Sequence, residues 1–260
     1  MRDRRELAGA WSSFQSHGFA PPAAELAELI SHYWWARWDL RGQPDYIQLM
    51  VPRPNVQLTF STTGPPMVRG VARGRVTRVL SGRAAVVGVA FRPGVFRRYL
   101  NAPVDTITDR ALPAEAAFTG LPPLDLTSLT TQAEPAPPVD ALNHYLLTTR
   151  PEPDPPGDEA AARVGEIAGS PDLRRVDQLT ARWAVSERHL QRLFAEHVGV
   201  SPKWVLRRFR LHEVTERMAA RTPIDWATLA ADLGYADQAH LTRDFTNMFG
   251  EPPTSYAARY

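Results

Sequence analysis

The stretch HLQRLFAEHVGVSP, residues 189–202, determines the organisation of this chain because it recurs as HLTRDFTNMFGEPP at residues 240–253. Each copy follows a short amphipathic run, LTARW at 179–183 and LAADLGY at 229–235. The two copies share six identical residues at one constant offset: His189/His240, Leu190/Leu241, Arg192/Arg243, Phe194/Phe245, Gly199/Gly250 and Pro202/Pro253. The last hundred or so residues therefore contain two similar units in tandem.

A short helix, a tight turn and a longer helix form a helix-turn-helix, whose second helix enters the major groove of DNA. Ser186 and Asp237 stand just before the two longer helices, where their oxygens can cap the free amides of the first turn. Behind them the apolar residues recur at helical spacing, which predicts one buried stripe per helix. The stripes are Leu190, Leu193, Phe194 and Val198, and Leu241, Phe245, Met248 and Phe249.

The opposite faces of the two helices then point outward, and they carry side chains suited to base edges. A solvated helix face would explain any single one of them, but both sets lie at the same phase of a repeated unit, which favours DNA reading. We predict base contacts from Arg188, His189, Gln191 and Arg192, and from Gln238, Ala239, His240, Thr242 and Arg243. We predict phosphate contacts from Ser186, Lys203, Arg207, Arg208 and Asp237.

The segment between the two units is long enough for the two recognition helices to enter neighbouring major grooves. Residues 202–220 contain no internal Gly or Pro after the first position, and as a helix they would span about 28 Å. Two recognition helices enter successive major grooves when they lie about 34 Å apart. Around the start of this segment, Lys203, Arg207, Arg208 and Arg210 form a basic run without acids.

These segments resemble the AraC/XylS family of transcription regulators over about residues 159–259. The second copy, LAADLGYADQAHLTRDFTNMFGEPPTSYAAR, is similar to the family signature, and the first copy with 202–211 resembles its first helix-turn-helix and linker helix. The resemblance implies base-facing roles for Arg188, Gln191, Arg192, Gln238, Ala239, His240 and Arg243. Two residues depart from the pattern. Val205 stands where the family often has Tyr, and Ala239 offers only a methyl contact, for example to thymine.

Composition places the chain among ordinary globular proteins. Its 260 residues suggest two domains, with 43% hydrophobic residues, 22% charged residues and a net charge of +2. There is no cysteine, which excludes disulfides and thiolate chemistry, and there is no apolar run long enough to cross a bilayer. We expect a cytoplasmic, nucleoid-associated protein with no membrane partner, no cofactor, no metal and no catalytic residues.

The N-terminal part is predicted to be β-rich, giving an α+β protein of two domains. We place a β-rich sensor or dimerisation domain at 1–118, a Pro-rich linker at 119–158 and the tandem helix-turn-helix domain at 159–260. Short Val-, Thr- and aromatic-rich runs predict a sheet, sandwich or small barrel. Helices are expected at 21–30, just after Pro93 and at 139–150, and the segment PEPDPPGD is expected to be stiff and extended.

The N-terminal part also resembles the sensor-like domain of uncharacterised function often found ahead of AraC-type halves, through VGVAFRPGVFRRYL at 87–100 and YIQLMVPRPNVQLTF at 46–60. That resemblance implies a cupin-like unit that binds a small molecule or mediates dimerisation. His17, His32 and His144 are too scattered for a cupin metal site. An aromatic cluster (Tyr33, Trp34, Trp35, Trp38) lines a pocket or is divided between core and surface. A basic stripe (Arg69, Arg73, Arg75, Arg78, Arg83) binds an anion, contacts DNA or is solvated.

Three functions remain open at this point. The first is a sequence-specific regulator of transcription that binds double-stranded DNA and is controlled by a small-molecule effector. The second is a regulator without a ligand, whose N-terminal half is a protein-interaction or dimerisation module. A homodimer and contact with RNA polymerase are compatible with either. The third is a repair enzyme carrying AraC-like modules, but such enzymes need an alkyl-accepting Cys, which is absent.

Overall fold

The computed structural model describes residues 14–132, 137–219 and 223–258. Within them the N-terminal part is built from eight strands. They are β1 (Gln15–Ala20), β2 (Ile30–Asp39), β3 (Tyr46–Met50), β4 (Gln57–Ser61), β5 (Gly64–Arg69), β6 (Val76–Leu80), β7 (Arg83–Phe91) and β8 (Ala111–Pro113). The predicted β-rich domain is therefore confirmed.

The strands form two antiparallel sheets. One has six strands in the order β1-β2-β7-β4-β5-β8, and the other pairs β3 with β6. In the described residues the six-stranded sheet does not close on itself, so the expected small barrel is replaced by an open sheet with a separate two-stranded ribbon beside it.

The two faces of the large sheet differ in character because side chains alternate along a strand. One face belongs to the main core, with Tyr33, Leu58 and Val87 almost inaccessible to solvent. The other face carries Trp34 and Ala36, which form a second, smaller cluster with Ala90. This second face looks toward the ribbon of β3 and β6.

Helices occupy most of the remaining described chain. They are α1 (Arg97–Leu100), α2 (Thr127–Thr131), α3 (Val139–Thr148), α4 (Pro155–Gly169), α5 (Val176–Trp183), α6 (Glu187–His197), α7 (Pro202–Ala219), α8 (Trp226–Asp232), α9 (Gln238–Phe249) and α10 (Pro253–Ala257). The predicted helical C-terminal half is confirmed. None of these helices combines the length and the apolar character needed to cross a membrane.

Two expectations about local structure were wrong, and one strand was missed. Residues 21–30 form only a 3-10 turn at Ala24–Leu26, because Leu29 and Ile30 are drawn into the core as the chain enters β2. The strand β1 was not anticipated. The segment PEPDPPGD is extended only in its first half, since α4 begins at Pro155, where proline suits the first turn of a helix.

The N-terminal sheet and the C-terminal helices pack against each other. One continuous hydrophobic core runs from Leu58 in β4 to Phe245 in α9. Hydrogen bonds cross the junction at both repeated units: the Trp204 indole donates to the Arg73 carbonyl at 2.8 Å, and Arg75 donates to the Gly250 carbonyl at 3.3 Å. The N-terminal domain therefore touches both units.

Candidate nucleic-acid interface

Each unit is a helix-turn-helix with its caps in place. In the first, α5 ends at a left-handed residue, Ala184 (φ 50°), and Ser186 Oγ accepts from the His189 amide at 3.2 Å. In the second, Gly234 (φ 71°) makes the turn after α8, and Asp237 Oδ1 accepts from the His240 amide at 2.6 Å. The predicted N-caps of the two longer helices, α6 and α9, are confirmed.

The buried stripes of α6 and α9 are also as predicted. Leu190 and Phe194 in α6, and Leu241 and Phe245 in α9, are entirely buried, and the other predicted stripe residues are no more than a few per cent exposed. Burying several large side chains, each worth about 2 kcal/mol, fixes which face of each helix turns outward. The outward faces thus follow from the packing.

The structure places the predicted base-contacting residues on those outward faces. Arg188 and Arg192 are exposed on α6, while His189 and Gln191 are half-buried there. On α9 the exposed residues are Gln238, Ala239, His240 and Arg243, and Thr242 is half-buried. The imidazole of His240 meets the ring of Tyr235 edge-on, with centroids 5.1 Å apart, which orients it at the start of α9.

The predicted phosphate-contacting residues do not share one surface. Lys203 is exposed at the start of α7, next to the first unit. Arg207 lies partly exposed with its Nε 3.8 Å from a carboxylate oxygen of Asp244, so it links α7 to α9. Arg208 is 4% exposed and donates to the Pro52 carbonyl of the N-terminal domain, away from the outward faces. Ser186 and Asp237 are exposed but engaged as caps.

The burial of Arg208 is the main difference from the expected site. Arg208 was predicted to contact DNA phosphate, whereas the helical phase of α7 turns it inward, toward a carbonyl of the other domain. Arg210, from the same run, donates to the Arg174 carbonyl, and its guanidinium lies 5.0 Å from the centre of the Tyr235 ring. Of this run, only Lys203 is fully solvent-exposed.

Two supporting contacts were not found from the sequence. Glu166 of α4 accepts from the Trp183 indole at 2.7 Å and from Arg182, and these hydrogen bonds lower the pKa of its carboxyl. They hold α5 against α4. In the second unit, burial raises the pKa of Tyr235 above its ordinary value, and the Arg210 guanidinium lies on its ring. The sequence signal that could have revealed these contacts is the aromatic residue near the end of the first helix of each unit, Trp183 and Tyr235.

The chemistry of this surface is that of recognition. Two outward helix faces present guanidinium, amide and imidazole groups with hydrogen-bonding capacity for base edges. In the described part of the chain, no group of three His, Asp or Glu side chains is placed to hold a metal ion.

Comparison with known proteins identifies the C-terminal half. Residues 179–259 match a family model described as a helix-turn-helix domain. This match shows that the C-terminal part of the chain contains an AraC-type helix-turn-helix domain. The matched range contains both units and α7, so the AraC-type domain includes all the outward side chains described above. Residues 19–113 match a second model, described as a domain of unknown function (DUF6597).

The AraC-type domain has named relatives. The multiple antibiotic resistance protein MarA of Salmonella typhimurium is 32% identical over 82 residues, which is 31% of this chain and 63% of the relative, and MarA of Escherichia coli matches equally. The chain thus spans about 63% of the length of these curated relatives.

Two solved structures also resemble this chain. The C-terminal domain of AraT, a response regulator from Geobacillus stearothermophilus, covers 38% of this chain and 83% of its own at 20% identity and a TM-score of 0.34. ToxT from Vibrio cholerae, bound to (E)-4-(8-methylnaphthalen-1-yl)but-3-enoic acid, covers 95% of this chain and 99% of its own at 9% identity and a TM-score of 0.47.

Proposed function

We propose that this protein is a sequence-specific regulator of transcription that reads two successive major grooves with α6 and α9. The observation that carries the proposal is the equivalence of the two outward faces. Arg192 and Arg243 occupy the same position of two repeated units, and both are exposed. Solvation alone gives no reason for the repeat to keep the same polar residue types at the same phase.

The helix between the units supports simultaneous reading. Helix α7 has 18 residues and so spans about 27 Å. This length is near the separation of about 34 Å between successive major grooves. The contact between Arg207 and Asp244 ties α7 to α9, which favours a fixed spacing between the reading helices.

Control through the N-terminal domain is the second part of the proposal. The domain contacts the turn after each recognition helix, through Thr108 with the Gly199 carbonyl and Arg75 with the Gly250 carbonyl. A small-molecule effector that shifts this domain would therefore act on both units together. With such a function the protein would act in the cytoplasm, at the nucleoid, and would have no catalytic role.

One observation favours the alternative, a regulator whose N-terminal domain serves for dimerisation. Ile47 of β3 and Val79 of β6 are opposite each other in the ribbon, and each is 66% exposed. Sedimentation velocity over a range of concentrations, with the Ile47→Ser variant as comparison, distinguishes a regulator that dimerises through this ribbon from one that does not. A dimer that this variant dissociates would support the alternative.

The DNA-binding proposal is tested by fluorescence anisotropy at about 150 mM salt, because affinity depends steeply on salt. The purified protein is titrated against DNA from its own upstream region and against a random duplex. Arg192→Ala and Arg243→Ala should each cost about 1–3 kcal/mol of specific binding and relax the preference at one base pair. Arg217→Ala, which removes an exposed arginine of α7 outside both reading faces, is the matched control and should bind like the parent.

Two outcomes would contradict this assignment. If Arg192→Ala and Arg243→Ala weaken binding to both duplexes equally, the arginines contact phosphate and the base-reading role fails. If neither variant differs from Arg217→Ala, the outward faces of α6 and α9 do not contact DNA.

A further inference from the structure

A cavity of about 650 Å³ lies in the N-terminal domain, on the face of the large sheet that is turned away from the main core. The ribbon of β3 and β6 forms its opposite wall. This volume is within the range of small-molecule sites, which is about 300–1,000 Å³. The cavity is remote in sequence from both recognition helices and is not used in the reading of DNA.

One wall of the cavity is aromatic. Because residues alternate along β2, Trp34 and Trp38 both reach this side of the sheet, with Ala36 between them. Gly88 lies opposite Trp34 on β7, where an added Cβ would be only 2.1 Å from the indole. Glycine at this point lets the ring lie against the sheet. The indole is fixed by donating from Nε1 to Gln57 Oε1 at 2.9 Å.

The same cavity has an excess of positive charge. Arg69 of β5, Arg75 just before β6 and Arg78 of β6 are among its lining residues, whereas Asp109 is the one acidic residue among the described residues that line it. Asp109 is already paired with Arg73 at 2.6 Å. Within the described part of the chain, no carboxylate lies within ion-pair distance of Arg69 or Arg78. Burial, and then the charge of Arg78, lower the pKa of Arg69.

We propose that this cavity binds a small aromatic carboxylate, with its ring against Trp34 and Trp38 and its carboxylate between Arg69 and Arg78. Arginine is the side chain best matched to a carboxylate, with which it forms two parallel hydrogen bonds. An inorganic anion would leave the aromatic wall unused, and a neutral aromatic compound would leave two guanidinium charges unbalanced.

The cavity is adjacent to the contacts that hold the DNA-binding units. Pro52 and Arg75 line it, and they bond to Arg208 and to the Gly250 carbonyl respectively. A ligand that displaces either residue changes how the AraC-type domain is held. The role of this ligand as an effector rests on the proposed function, whereas its binding does not.

The proposal is tested by isothermal titration of the full-length protein with biphenyl-4-carboxylate. Biphenyl-4-carboxamide has the same shape without the charge, and inorganic phosphate has the charge without the ring. We expect the carboxylate to bind at least about tenfold more tightly than the amide, and phosphate to give no saturation at millimolar concentration. Arg69→Gln and Arg78→Gln should each weaken the carboxylate at least about fivefold. Arg41→Gln, an exposed arginine outside the cavity, should leave it unchanged.

Several results would overturn the proposal. They are equal binding of acid and amide, no saturation by the carboxylate up to millimolar concentration, or an unchanged affinity in Arg78→Gln. Arg78 is exposed, so this variant stays informative even if Arg69→Gln unfolds, which circular dichroism would reveal. Anisotropy on the same preparations reports DNA binding separately. Carboxylate binding without DNA binding would refute the proposed function and leave the ligand site intact, and the reverse would refute the ligand site alone.

Discussion

The two units use different residues at the left-handed position of the turn between their helices. The turn after α8 uses Gly234 in a left-handed conformation, which glycine adopts without steric cost. The turn after α5 places Ala184 in the same conformation, where Cβ crowds the following carbonyl oxygen. The first unit therefore keeps a small local strain that the second avoids.

Replacing Ala184 by glycine should relieve this strain. Because the strain costs about 1–2 kcal/mol and glycine adds some entropy to the unfolded chain, we expect Ala184→Gly to raise the free energy of unfolding by about 0.5–1 kcal/mol. Chemical denaturation monitored by circular dichroism measures this, with Ala181→Gly inside α5 as the destabilising control. A loss of stability in Ala184→Gly would mean that the left-handed turn is not strained.

At the scale of helices and strands, the sequence predicted what is local and missed what depends on packing partners. The repeat predicts the two longer helices near 187–197 and 237–248, and α6 and α9 lie within one residue of these bounds, because caps and apolar stripes are local signals. Alternation predicted most strands but not their order, since β7 pairs with β2 and β4 rather than only with its sequence neighbours. The stretch at 21–30 has helical spacing, yet Ile30 is the first residue of strand β2.

The outward faces of α6 and α9 were predictable for the same reason, whereas the positions of arginines in α7 and of the cavity were not. An arginine is exposed by default, so the burial of Arg208 depends on a carbonyl that only the folded N-terminal domain supplies. Trp34 and Trp38 were recognised as a cluster, but which face of the sheet they share depends on strand pairing. Long-range contacts are not encoded in local spacing.

The end of α6 contains a titratable element, His197. It is 3% exposed, and its Nδ1 lies 3.2 Å from a carboxylate oxygen of Asp154. The charges of Arg97 and Glu196 also influence the pKa of His197. Burial lowers its pKa, and Asp154 opposes this effect only in part. The unfolded chain therefore binds a proton more readily than the folded one as the pH falls through about 6.5, the ordinary value for histidine.

Because the folded-state pKa is depressed, the contribution of His197 to stability is complete above this pH and is lost as the pH falls. We expect the free energy of unfolding to decrease between pH 7.5 and pH 5.5, and the decrease to be smaller in His197→Gln. Urea denaturation at several pH values measures it, with the exposed His144→Gln as control. An identical pH dependence in His197→Gln and the parent would contradict the assignment.

For the whole molecule, the decisive feature is that the AraC-type domain is packed against the sheet that precedes it. Gly199 and Gly250, identical in the repeat, are both left-handed, and both are approached by N-terminal residues. A Cβ at Gly199 would lie 2.9 Å from Val104, and one at Gly250 would lie 2.9 Å from Arg75. Each glycine thus ends a recognition helix and, because it has no Cβ, lets the N-terminal domain pack closely against that end.

This packing gives Lys203 and Arg208 different roles in binding. Lys203→Ala should reduce the slope of log affinity against log salt by about 1, because one phosphate contact is lost. Arg208→Ala should leave this slope unchanged and instead lower the thermal midpoint, because it leaves the Pro52 carbonyl without its donor. Anisotropy at several salt concentrations and differential scanning calorimetry measure the two effects. A reduced salt slope in Arg208→Ala would mean that the arginine reaches DNA.

The most direct test of simultaneous reading by α6 and α9 is missing-base interference on the protein's own upstream DNA. We expect two clusters of required bases, with centres about 10 base pairs apart on one face of the duplex. Arg192→Ala should relieve the requirement for one base in one cluster, and Arg243→Ala the requirement for one base in the other. A single cluster, or two clusters on opposite faces of the duplex, would contradict the central claim that this chain reads two successive major grooves.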